Sequence, residues 1–192
     1  MVVRNLFVLA FAFLLFTITA DAENKCSAKG VMSGLDFSMN HCAVALYDEK
    51  SVTLWFSSTP ITPEELQQFQ LSSYADSFHK DAAGKRRSMI TVAFCPGGGK
   101  PVSAPGEVKS AEIAFKHESA DFLGSQEQWV LNFPKDKEMK IEKLTGELKP
   151  GGTLAGKITG ALTSDGKKFA WDIDFVMTLP DKAAAAGPGC GD

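Results

Sequence analysis

Apolar and polar residues alternate with a period of two over much of the chain, the mark of strands with one face in a core and one in water. The clearest run is at 153–179. Leu154, Gly156, Ile158, Gly160 and Leu162 alternate with Thr153, Ala155, Lys157, Thr159 and Ala161. After Ser164-Asp165-Gly166-Lys167, the residues Phe169, Trp171, Ile173, Phe175, Met177 and Leu179 take up the same beat. Asp-Gly between two alternating runs is a two-residue hairpin signal. It sets Ser164 opposite Lys167 and Leu162 opposite Phe169. Gly160 then faces Trp171, Ile158 faces Ile173, Gly156 faces Phe175 and Leu154 faces Met177. A slip of one residue would turn every apolar side chain to water. On the other face Lys157 meets Asp174, and Thr159 meets Asp172.

A second hairpin is expected around Asp48-Glu49-Lys50. A three-residue loop there pairs Leu46 with Val52, Val44 with Leu54 and Cys42 with Phe56, and puts Tyr47 and Trp55 together on the opposite face. Residues 31–37 alternate as well and are expected to pair with 42–47 through a turn near Met39-Asn40. Ser88–Cys95 is apolar on both faces and reads as a central strand. Further strands are expected at 108–116, 127–133 and 139–148, with Trp129, Leu131 and Phe133 on one side. Thr62-Pro63-Glu64-Glu65 is a helix start, with Thr as cap, Pro in the first turn and Glu three residues after the cap. Leu66 and Phe69 give that helix a short apolar stripe. Short strands, turns and one brief helix predict a mainly β chain, a single antiparallel β-sandwich. An α+β sheet packed by residues 62–78 is the alternative.

The first residues do not fit this pattern. Arg4, the apolar run from Leu6 and the small-x-small end Ala20-Asp21-Ala22 read as a signal peptide over 1–22. The run falls short of the roughly 20 apolar residues a membrane span needs. The expected organisation is a leader, a domain over 23–182 and a low-complexity tail over 183–192, and the expected location is secreted or periplasmic. No membrane span would remain after cleavage.

Export changes how the four cysteines are read. In an oxidising compartment they imply two disulfides. Treating 31–37 and 42–47 as neighbours puts Cys26 too far from Cys42, so Cys42 is expected to bond Cys95, and Cys26 to bond Cys190, which would anchor the tail. Metal chemistry is disfavoured, because no C-x-x-C pair is present. The histidines His41, His79 and His117 are scattered, and a periplasmic metal-binding protein using them is the lesser alternative. The formal net charge of −3 argues against nucleic acid as a partner. Lys85-Arg86-Arg87 reads as a solvated loop.

Catalytic patterns are sparse. Gly97-Gly98-Gly99-Lys100 is followed by Pro101 rather than Ser or Thr, so it is not a phosphate loop. Asp172 and Asp174 share one face of a strand and read as surface residues. Asp76, His79 and Asp81 form a looser polar cluster, and a hydrolase built from distant loops, using Asp76, His79 or His41, is one alternative. The leading expectation is an exported, non-catalytic binding or structural module without a cofactor. Its partner would be an extracytoplasmic protein or glycan, met through Tyr47, Trp55 or His79.

Overall fold

In the computed structural model, residues 24–47, 51–71, 80–81, 83–96, 108–116, 129–133, 137–164 and 166–183 are described. The leader, His79, His117 and the tail from residue 184, with Cys190, lie outside them. The chain is mainly β. Its strands are β1 (Lys25–Met32), β2 (Leu35–Met39), β3 (His41–Tyr47), β4 (Ser51–Ser57), β5 (Met89–Pro96), β6 (Val108–Lys116), β7 (Trp129–Phe133), β8 (Met139–Gly146), β9 (Thr153–Ser164) and β10 (Lys167–Thr178). One helix, α1 (Pro63–Leu71), follows β4. Two antiparallel five-stranded sheets form, sheet A in the order β2-β1-β10-β9-β8 and sheet B in the order β3-β4-β5-β6-β7. Each strand is hydrogen-bonded to its sequence neighbour, except at the β2/β3 and β7/β8 seams, and β10 returns to β1. The path is therefore one meander divided into two sheets.

The β9–β10 ribbon has the register that alternation and the Asp-Gly turn dictate, from Ser164 opposite Lys167 to Leu154 opposite Met177. Gly166 takes φ 72° in the turn. Phe169, Trp171, Ile173, Phe175 and Met177 are buried. The Trp171 ring lies against Gly160 and the Phe175 ring against Gly156, so closely that a Cβ at either glycine would collide with the ring. The second hairpin also has its expected pairs, Leu46 with Val52, Val44 with Leu54 and Cys42 with Phe56. In β5, paired with β4 on one side and β6 on the other, Ile90 and Val92 are fully buried. Trp129, Leu131 and Phe133 align with Phe115, Ile113 and Ala111 of β6.

The expected pairing of 31–37 with 42–47 is not formed. The chain turns at Ser33-Gly34, with φ 55° and 82°, and folds β2 back on β1 with Met32 opposite Leu35. Successive positive φ values make this a tight hairpin turn, for which Ser-Gly was the local signal. Asn40 alone then connects β2 in sheet A to β3 in sheet B. This change of sheet overturns the expected disulfides. Cys26 bonds Cys42 with a Cα–Cα separation of 6.3 Å, so neither Cys42–Cys95 nor Cys26–Cys190 forms. Counted along one sheet Cys26 and Cys42 are too far apart to bond, but they meet across two sheets.

The interior shows how the sheets cross. Cys42, Phe56, Ile90 and Phe115 are successive cross-strand partners and run across sheet B. Opposite them, Cys26 pairs with Phe175, and Phe175, Ile173, Trp171 and Phe169 run along β10. Phe56 meets Phe175 edge-on with centroids 6.2 Å apart, while Phe115 lies 5.0 Å from Trp171. A row across the strands of one sheet thus follows a strand of the other, so the sheets pack at a steep angle.

Helix α1 begins as its sequence predicts. Thr62 N–H donates to Glu65 Oε2 at 2.8 Å, and Glu65 N–H donates to Thr62 Oγ1 at 3.2 Å, a reciprocal capping box. Glu65 has a second role. Its Oε1 lies 3.1 Å from Arg87 Nη2, and Arg87 Nη1 donates to the Pro60 carbonyl at 3.4 Å. Arg87 is 0% exposed, which corrects its reading as part of a solvated loop. A buried charge needs a buried partner, and here the helix supplies one for an arginine two residues before β5. Arg87→Ala is expected to cost about 3–5 kcal/mol by stranding Glu65. The double variant Glu65→Leu/Arg87→Met should cost less than Arg87→Ala alone. Urea denaturation of the three proteins checks both.

Candidate functional site

The outer face of sheet B is not the aromatic surface expected. Tyr47 is 3% and Trp55 2% exposed. With Ala43, Ala45 and Met89 they form a second core against Ile61 and Leu66. The alternation that placed Tyr47 and Trp55 on one face was sound. What alternation does not reveal is that residues after β4, including the start of α1, cover that face. Neither residue is available to a ligand in this arrangement.

The histidines and loop acids are not gathered either. His41 opens β3, half-buried and opposite Ser57. Asp76 and His79 lie outside the described residues. Asp81 holds its own loop together, because its Oδ1 accepts hydrogen bonds from the N–H groups of Ala83 at 3.0 Å and Lys85 at 2.8 Å. Among the described residues, no three His, Cys, Asp or Glu side chains stand where they could hold a metal ion.

The outer face of sheet A differs. It carries a shallow groove of about 620 Å³ running over β1, β10, β9 and β8, with Lys25, Ser27, Glu142, Lys143, Lys157 and Asp174 among its lining. Strand alternation builds it. Ser27 pairs with Asp174, Asp174 with Lys157 and Lys157 with Lys143, so one row of polar side chains crosses four strands. A register shift between Ile141 and Lys143 brings Glu142 and Lys143 together to this face, as a bulge does.

Lys157 is the hub of the row. Its Nζ lies 2.9 Å from Asp172 Oδ1 and 3.4 Å from Asp174 Oδ2. The hydrogen bond to Asp172, followed by the pull of Asp174, holds the ammonium above the usual lysine pKa. Glu142 Oε1 accepts a hydrogen bond from the Thr159 hydroxyl at 2.7 Å. Asp172 and Asp174 are therefore surface carboxylates tied to one lysine, as their alternation in the sequence implies. Sequence reasoning missed that a groove would form here, because the bulge at Glu142 interrupts an otherwise regular alternation.

Tyr47 provides a check on the covered face. Burial pushes its hydroxyl above the ordinary tyrosine pKa, while the Thr53 hydroxyl beside it opposes the shift. The folded phenol thus stays protonated at a pH where the unfolded one has ionised. Unfolding then releases a proton, and stability falls as pH rises past about 10. Lys157, also raised, loses its contribution in the same direction. Tyr47→Phe should flatten this alkaline decline without removing it, as seen in denaturation midpoints between about pH 8 and 11. A decline parallel to that of the parent protein would contradict the burial of Tyr47.

No protein-family model, no curated protein and no solved structure matches this chain, so the reading of the groove rests on its own residues.

Proposed function

We propose that the protein is an exported binding module, secreted or periplasmic, that meets an extracytoplasmic protein or glycan on the outer face of sheet A. The observation that carries this is the groove over β1, β10, β9 and β8. It is a depression edged by charged side chains on strands joined by continuous pairing, which gives preformed geometry and little ordering cost on binding. The other broad face, on sheet B, is covered. Export is supported by the leader pattern at 1–22 and by the Cys26–Cys42 bond, since structural disulfides persist in oxidising compartments. Among the described residues no helix is long and apolar enough to cross a membrane.

The test is steric. Ser27 is exposed and lines the groove, so Ser27→Trp would fill part of it. Purified oxidised protein should bind a member of an immobilised panel of glycans and extracytoplasmic proteins, and Ser27→Trp should abolish that binding while leaving the circular dichroism spectrum unchanged. Binding that survives the substitution would place the site elsewhere.

A further inference from the structure

Charge is distributed unevenly between the sheets. The strands of sheet A carry seven lysines against Asp36, Glu142, Asp172 and Asp174. The whole chain is at −3, so sheet A opposes the sign of the rest. Asp172 and Asp174 are held by Lys157, and Glu142 accepts from Thr159. Lys25 and Lys143 are exposed on either side, and neither has an ion-pair partner among the described residues. Three strand spacings separate β1 from β8, so these two cations stand about 14 Å apart across the sheet. The carboxylates are engaged and the flanking ammonium groups are open to an anion.

We infer that the groove binds an anionic polysaccharide, bearing carboxylate or sulfate groups, laid across the strands of sheet A. This rests on the proposal that this face is the binding surface, and it names the ligand class. Protein hot spots favour Trp, Tyr and Arg and are poor in Lys, and a neutral sugar would look for an aromatic platform. Among the described residues the large exposed apolar side chains are Leu35 and Val176, so this face shows no exposed aromatic ring. The cations of sheet A are all lysines, compact point charges suited to a polymer with repeated anionic groups rather than to a fixed bidentate partner. A shallow groove that crosses four strands admits a chain rather than a small closed ligand.

The probes are heparin as a sulfated chain, polygalacturonate as a carboxylated one, dextran as a neutral one and a single-stranded oligonucleotide of matched charge. Titration calorimetry on oxidised protein should show binding to at least one anionic polysaccharide, weakened by added salt, and no binding to dextran. Lys25→Glu/Lys143→Glu should raise the dissociation constant by at least about tenfold. Both side chains are exposed, so the thermal midpoint should hardly move. Absence of binding to both anionic polysaccharides, equal binding to the oligonucleotide, or an unchanged dissociation constant in the double variant would overturn the inference. If the polysaccharides fail while Ser27→Trp still abolishes capture of another ligand, the face is right and the ligand class wrong. If Ser27→Trp changes nothing, the face itself is wrong.

Discussion

The first passage of the chain from one sheet to the other runs through a single residue, Asn40, and the Cys26–Cys42 disulfide closes the corner it makes. Much of the interior is aligned by that corner. Cys26 is in register with Phe175 and Cys42 with Phe56, so the bond sits beside the edge-on contact of those rings, and the line continues to Phe115 against Trp171. A cross-link closing a loop of this size, its ends 16 residues apart in sequence, stabilises by about 3 kcal/mol through the unfolded state. Its position adds geometry. It holds the angle at which β3 leaves sheet A, and the crossing of the two sheets follows from that angle.

The crossing leaves three surfaces with different fates. The facing sides form the main core, dense in Phe, Leu, Ile and Met. The outer side of sheet B is paved with Ala43, Ala45, Tyr47, Trp55 and Met89 and closed by the approach to α1. A buried ion pair pins that covering: Glu65 caps the helix and also neutralises Arg87. The outer side of sheet A retains its charges and its groove. A face lined by short ion pairs and exposed lysines has no drive to be buried against its own chain, which is why it stays open to solvent.

Much of this was legible in the sequence where a local rule and a long-range rule agreed. Asp165-Gly166 and the alternation on either side led to a single register for β9 and β10. The capping box led to the start of α1. The polar turn at 48–50 aligned β3 with β4. The failures share a cause. Alternation runs straight through Ser33-Gly34, although Ser-Gly is a turn dipeptide, so the pattern alone merges two strands into one and puts Cys42 in the wrong sheet. The disulfide error followed from that single step. The burial of Arg87, Tyr47 and Trp55 was not legible, since a period of two says which residues share a face and not what lies over it. The groove depended on a bulge at Glu142, which shifts two side chains to one face against the pattern.

The disulfide tests the account most directly, because Cys26 lies in sheet A and Cys42 in sheet B, so their bond spans the change of sheet at Asn40. Non-reducing peptide mapping of the purified protein should recover a fragment joining Cys26 to Cys42. A fragment joining Cys42 to Cys95, or Cys26 to Cys190, would contradict the corner and the packing of Phe56 on Phe175 that it aligns.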